Sequence, residues 1–292
     1  MALRGIRDYS RMAIISSLLR RNFELWGYRE VVLPTIEPYS ETLKGGTKFA
    51  YNNEFYLIKP DVTSRLLKYE IDLAKLYYVG EVLDGGVEGK WQAGVEFIGG
   101  EPNFMTAEVI SVLITSLESL GISEFYIDLG SLEVWRKATE DIEEFRETVC
   151  RALQRRNFGL IEKLPIGKDK KEELWNLFNF RGKESNYPKL TQILKLVDDE
   201  RIFVDFGTVR PLPYYSDVIF EVYSPLLGRP IGGGGEYSFH GKPAVGFALD
   251  LRALLELASV RERKGRKFLR GISSFREARK LVSMGIPVEV ER

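Results

Sequence analysis

The chain has 292 residues, 44% of them hydrophobic, enough to bury a sizeable core in one large domain or two smaller ones. Its 42 basic and 42 acidic side chains cancel, so no global positive field is available to condense on nucleic acid phosphates. A single cysteine, Cys150, and a single histidine, His240, exclude an internal disulfide and cannot build a zinc site by themselves.

No apolar run approaches the roughly 20 residues that span a bilayer, and the first nine residues lack a signal-peptide core. The expectation is a cytoplasmic chain with no membrane contact. Apolar residues at helical spacing (Met12, Ile15, Leu18, Leu19, Phe23, Trp26) predict a helix over 10–26, ended by Gly27 with a positive φ. Residues 28–34 read as a valine-rich strand stopped by Pro34. Further strands are predicted at 54–58, 75–83, 91–98, 125–129, 202–206, 217–223 and 244–249, with helices at 62–70, 106–120 and 251–262. Strands in runs with grouped helices favour an α+β architecture around a mainly antiparallel sheet over a doubly wound parallel fold.

Residues 131–200 differ in texture, with charged helices predicted at 140–153, 170–178 and 189–197. They read as a small helical insertion into a core made of 1–130 and 201–258. Cys150 is expected half-buried on the first of these helices. After 259 a basic run precedes a helix at 274–283 and a strand at 286–290. This stretch, 259–292, is too short for an independent core and is expected to dock on the main domain.

A free amino acid carries an ammonium and a carboxylate close together, so its site needs an acidic residue for one and a fixed cation for the other. Asp61, Glu96, Gln92, Arg210, Tyr214 and Tyr215 supply such groups near predicted strand ends, as any charged globular chain can. Their order along the chain says more. Residues 27–37, Gly-Tyr-Arg-Glu-Val-Val-Leu-Pro-Thr-Ile-Glu, resemble the first signature motif of class II aminoacyl-tRNA synthetases, which builds that family's dimer interface. Lys59-Pro60-Asp61-Val62-Thr63 is similar to the Arg-Pro-Glu-x-Thr segment of histidyl-tRNA synthetases. Leu76 to Leu83 is similar to the strand that opens their second motif, and Gln92-Ala93-Gly94-Val95-Glu96 to the strand after it. Thr208 to Tyr215, Ile231 to Tyr237 and Ala244 to Ala248 resemble their histidine-recognition blocks.

The resemblance runs over residues 1 to about 258 and implies a class II synthetase-like antiparallel sheet flanked by helices. It assigns Asp61 and Glu96 to the ammonium of bound L-histidine, with Thr63 and Gln92 supporting the backbone end. Tyr214, Tyr215 and Tyr237 would surround the imidazole, and Arg210 would stand near the carboxylate. The ordinary alternative for the tyrosines is core packing.

The departures from the pattern concern ATP. Where the second motif continues into an arginine for the α-phosphate, Leu83 is followed by Asp84. Such a change turns attraction into repulsion, each about 4 kcal/mol at 4 Å for an effective dielectric of 20. In the third motif, Ala253 occupies the place of the γ-phosphate arginine, and Arg252, one residue earlier, points about 100° away on a helix. Asp250 adds another negative charge, and the loop Asp84 to Lys90 is short and acidic. After residue 258 only a remnant stands where an anticodon-binding domain would need more chain.

A histidine pocket without ATP or tRNA machinery resembles the regulatory-subunit family of ATP phosphoribosyltransferase. That resemblance implies a non-catalytic, cofactor-free protein that forms a homodimer through the first-motif region. It also implies a hetero-octamer with the short catalytic subunit, activity of that subunit dependent on this one, and feedback inhibition by histidine. Two alternatives stay open: an enzyme that adenylates histidine, and a stand-alone histidine sensor. The glycines 232–235 lack the Lys-Ser/Thr of a phosphate loop and are expected to precede a strand turn and to let the backbone approach the ligand. His240 has no evident catalytic partner.

Overall fold

The computed structural model describes residues 5–208, 215–260, 266–271 and 274–291. They form two compact units, Met1–Ala258 and Ser259–Arg292.

The large unit opens with helix α1 (Ile6–Leu25), followed by strands β1 (Arg29–Glu30), β2 (Ile36–Pro38), β3 (Thr47–Tyr51) and β4 (Glu54–Ile58). Helix α2 (Val62–Leu66), the long hairpin β5 (Ala74–Leu83) and β6 (Gly89–Ile98), helix α3 (Pro102–Ser119) and β7 (Tyr126–Ser131) come next. A helical stretch then holds α4 (Leu132–Ala138), a 3-10 turn at Glu140–Phe145, α5 (Arg146–Gln154), α6 (Gly159–Glu162) and α7 (Lys168–Phe178). After β8 (Arg181–Gly182) and α8 (Pro188–Val197), the chain returns to the sheet with β9 (Ile202–Asp205), β10 (Tyr215–Tyr223), β11 (Pro230–Phe239) and β12 (Lys242–Asp250). Helix α9 (Leu251–Leu257) ends this unit. The small unit is β13 (Lys267–Arg270), α10 (Ser274–Ser283) and β14 (Val288–Glu291), with the two strands parallel.

Nine strands form one sheet in the order β1-β5-β6-β12-β11-β10-β7-β9-β8. The pairs β1–β5 and β7–β9 are parallel and all other neighbours are antiparallel. This is the α+β, mainly antiparallel architecture expected from the grouped strands. A separate three-stranded sheet, β2-β4-β3, lies between β1 and α2 in sequence.

Helix α3 is apolar nearly all round, and its Met105, Val109, Ile110, Val112, Leu113 and Leu117 are buried. A helix of that kind belongs inside a core, and it packs against α1 and β12. Glu101 caps it, accepting a hydrogen bond from the Phe104 amide at 2.8 Å, and Pro102 fills a first-turn position where its missing N–H costs nothing. Gly27 ends α1 at φ +82°, as expected. The helical stretch has its own core around Trp135, Leu153, Ile161 and Leu174. Cys150 lies half-buried on α5.

The expected strand over 28–34 shrinks to Arg29–Glu30, because only one further ladder bond, from the Val31 amide to the Tyr77 carbonyl, continues it. Val31 and Leu33 instead pack onto a cluster built on Val62, Leu76, Tyr78 and Tyr237. The expected helix over 62–70 stops at Leu66, and the segment expected to lead into a strand turn, Gly232 to Gly235, lies inside β11. Among the described residues no helix is long and apolar enough to cross a membrane.

Candidate functional site: a carboxylate-floored cavity on the central strands

A cavity of about 460 Å³ opens over β5, β6, β12, β11 and β10, with α2 along one side. Period-two alternation places its floor. On β6, Gln92 and Glu96 line the cavity while Ala93 and Val95 are wholly buried. Asp61, Thr63, Tyr215 and Tyr237 complete the set of expected residues that the structure brings together. Arg210 and Tyr214 lie outside the described residues.

Glu96 is the centre of the site. Its carboxylate is 3% exposed and accepts hydrogen bonds from the Thr63 hydroxyl at 2.5 Å and the Tyr237 hydroxyl at 2.7 Å. Burial pushes its pKa up to about 7, against the lowering effect of the two hydroxyl bonds, and Asp61 pushes it further up. Asp61 is raised too, first by burial, even though its carboxylate accepts from the Ser64 amide at 2.8 Å and so caps α2. A buried and a half-buried carboxylate with raised pKa values on one cavity make a site that a cation stabilises in its ionised form.

The glycines give the floor its depth. A Cβ on Gly246 would lie 2.0 Å from Glu96 Oε2, and one on Gly94 would lie 2.7 Å from the Tyr78 hydroxyl. On β11, a Cβ at Gly235 would meet the Tyr215 ring at 3.0 Å, and one at Gly234 the Gly246 carbonyl at 1.9 Å. The glycine run therefore lets two strands and an aromatic ring approach closely.

Sequence reasoning missed Tyr78. It is buried against the cavity, and its hydroxyl pKa is raised well above the ordinary value by burial and then by Glu96, Asp61 and Tyr215. The signal was in the strand 76–83, where Tyr78 is directly opposite Gly94 in the register. Lys44 and Lys90, also at the rim, were missed as well.

Beyond Asp84 and Asp250 the cavity continues into a second hollow of about 700 Å³, lined by Glu88, Lys90, Arg229, Arg252 and Glu256. Each of these cations already holds a carboxylate. Lys90 pairs with Asp84 at 2.6 Å, Arg252 with Glu88 at 3.4 Å, and Arg229 with Asp250 at 3.4 Å and Glu256 at 2.8 Å. Asp250 also caps α9 by accepting from the amides of Arg252 and Ala253. Ala253 is wholly buried. His240 sits at the turn between β11 and β12 with φ +49° and does not line the cavity.

A model of the family described as histidyl-tRNA synthetase matches residues 6–196 and 169–254. The chain belongs to the histidyl-tRNA synthetase family. Two groups of relatives within it are similar to this member. The ATP phosphoribosyltransferase regulatory subunit of Aquifex aeolicus is 31% identical, over 80% of this chain and 69% of the relative. The histidine–tRNA ligase of Methanocaldococcus jannaschii is 26% identical, over 84% and 72%. The fold is that of a solved structure from Bacillus halodurans described as an ATP phosphoribosyltransferase regulatory subunit/histidyl-tRNA synthetase, with a TM-score of 0.84, 21% identity and coverage of 100% and 91%. A solved ATP phosphoribosyl transferase (HisG:HisZ) complex from Thermotoga maritima shares the fold at a TM-score of 0.68 and 16% identity, over 86% and 98%. The class II synthetase-like sheet expected from the motifs is thus the sheet this family member has.

Proposed function

We propose that this family member is a non-catalytic, histidine-binding regulatory subunit of ATP phosphoribosyltransferase, the first enzyme of histidine biosynthesis. One observation carries the reading: a carboxylate-floored cavity sits beside a hollow whose described cations are all bound to the chain's own carboxylates. The ammonium of histidine is read against Glu96 and Asp61, with Thr63 holding Glu96 and Gln92 at the backbone end. Tyr215 and Tyr237 flank the imidazole, and Arg210 and Tyr214 are assigned to the same ligand from the sequence motif.

A triphosphate would have to displace several ion pairs to reach Lys90, Arg229 or Arg252, and it would face Asp84, Glu88, Asp250 and Glu256 as it did so. That arrangement suits a protein that needs the amino acid and not the nucleotide. Regulation follows from coupling: histidine binds one arrangement of the assembly more tightly, and that arrangement is less active. The partner is the short catalytic subunit in a hetero-octamer, the homodimer contact is the first-motif region, and the complex works in the cytoplasm without tRNA. The similarity to the Aquifex aeolicus regulatory subunit and to a chain of the Thermotoga maritima complex supports this partner.

The test is the rate of ATP and phosphoribosyl pyrophosphate condensation by the short catalytic subunit, with and without this chain, across a histidine titration. Activity is expected to require the chain and to fall as histidine rises. Activity indifferent to the chain would end this reading. The similarity to histidine–tRNA ligases supports a second reading, an enzyme that adenylates histidine. Histidine-dependent ATP–pyrophosphate exchange would reveal it.

A further inference from the structure

On the far side of β11 from Tyr237 lies a second set of charges, with Glu236 buried and Lys189 and Asp217 half-buried. Glu236 is 4% exposed and accepts from Lys189 Nζ at 2.6 Å and from the Thr106 hydroxyl at 3.0 Å. The same ammonium reaches Asp217 at 3.0 Å, and Asp217 also accepts from the Ser131 hydroxyl at 2.6 Å, the Tyr187 hydroxyl at 3.1 Å and the Glu133 amide at 3.3 Å. Burial disfavours the ionised forms of all three side chains. Yet Asp217 is held below the ordinary value, first by the Ser131 hydroxyl and then by Lys189, and Lys189 is held above it, first by Glu236 and then by Asp217.

Asp217 stands at an irregularity in the ladder. Tyr215 is opposite Tyr237 and Ile219 opposite Gly235, so β10 passes four residues while β11 passes two. Bulges of this kind re-aim side chains beside functional sites. Besides the ladder to β11, Glu236 and the stretch 131–200 grip this one. The Val218 amide leans toward Glu236 at 3.5 Å, Arg136 on α4 donates to the Ser216 carbonyl, and Lys189 on α8 ties Asp217 to Glu236. The residue the bulge delivers to the cavity is Tyr215.

We propose that the Lys189–Asp217–Glu236 cluster is a positioning site for the ligand cavity, through which α4 and α8 set the bulge that presents Tyr215 opposite Tyr237. Lys189 is a positioning residue: it lines no part of the cavity and acts on the ligand through β10 and β11. This rests on the histidine-binding reading for its ligand, and its geometry stands independently of it.

The experiment compares Lys189→Met, Asp217→Asn, Lys189→Arg and Leu190→Ala in the full chain. Histidine affinity is followed by calorimetry, Tm by thermal unfolding, and hydrogen exchange over residues 215–223 without ligand. Lys189→Met and Asp217→Asn are expected to weaken histidine binding roughly tenfold or more and to speed exchange over 215–223. Lys189→Arg keeps the charge and is expected to restore both. Leu190→Ala opens a cavity under the same helix while leaving the Lys189, Asp217 and Glu236 side chains in place, and is expected to lower Tm without moving affinity. If Lys189→Met fails to fold, Asp217→Asn decides, since it keeps an oxygen for Ser131. Affinity within twofold of the parent in a folded variant, or an equal affinity loss in Leu190→Ala, would overturn the proposal. Failure of the parent chain to bind histidine would sink the histidine reading alone. Exchange over 215–223 then decides the positioning site, and an unchanged rate in Lys189→Met overturns it.

Discussion

Burial raises the affinity of Glu96 for its proton, against the pull of the Thr63 and Tyr237 hydroxyls. With a pKa near 7 in the folded chain and an ordinary value near 4.3 when unfolded, it binds protons more tightly folded than unfolded. Its contribution to stability is complete below the unfolded value and is lost as pH rises through the folded one. The total is roughly 4 kcal/mol, since each tenfold gain in proton affinity on folding is worth about 1.4 kcal/mol. Denaturant unfolding of the parent and of Glu96→Gln from pH 4 to 8 checks this. The parent should lose stability relative to the variant between about pH 4.5 and 7, and parallel curves would show that Glu96 titrates normally. A ligand ammonium reverses the preference, so the parent should gain histidine affinity relative to Glu96→Gln as pH rises through 7. The sequence motifs point to Glu96 and Thr63, and the strand motif over 76–83 contains Tyr78 without marking it for the cavity. Its role depends on how a neighbouring glycine on the paired strand makes room for a ring, and pairing is not written in any one segment.

Among the elements, the two short helices at the cavity are capped by aspartates that sequence reasoning weighs for their charge alone. Asp61 starts α2 and Asp250 starts α9, each accepting backbone amides. A cap of this kind is worth about 1 kcal/mol. Asp250→Ala is therefore expected to cost about 1–2 kcal/mol in chemical denaturation, since it also frees Arg229 from one partner. A neutral result would mean that the Arg229 pair and the cap contribute nothing. The strand at 54–58 and the helix at 274–283 have their expected bounds, and the long hairpin and α3 nearly so, because each has a clean period and clear stops. Strand β11 is the element that local reasoning loses. Four successive glycines have poor strand propensity, and only the backbone of β12 on one side and of β10 on the other holds them extended. The strand over 28–34 fails for the opposite reason: its valines have high propensity, yet past Val31 the ladder stops, with Leu33 packed on the core and Val32 left exposed.

At the scale of the molecule, the cavity and all of its described lining belong to the unit ending at Ala258. A chain ending at Ala258 is therefore expected to unfold in one cooperative transition and to bind histidine within about threefold of the full chain, since it keeps every described residue that lines the cavity. Circular dichroism and calorimetry measure both, and a loss of binding on truncation would place residues 259–292 in the ligand's service. The motif order shows the architecture because it spans the whole sheet in sequence, whereas the grip of residues 131–200 on β10 depends on side chains such as Lys189, which no motif contains. The paired hollow beside the cavity also resists a change of charge. A cation added at its lining would find Glu88, Asp250 and Glu256 already there, each shared with an arginine of the chain. Carboxylates and cations in such a network re-pair around a newcomer, so the hollow acts as a buffer of charge.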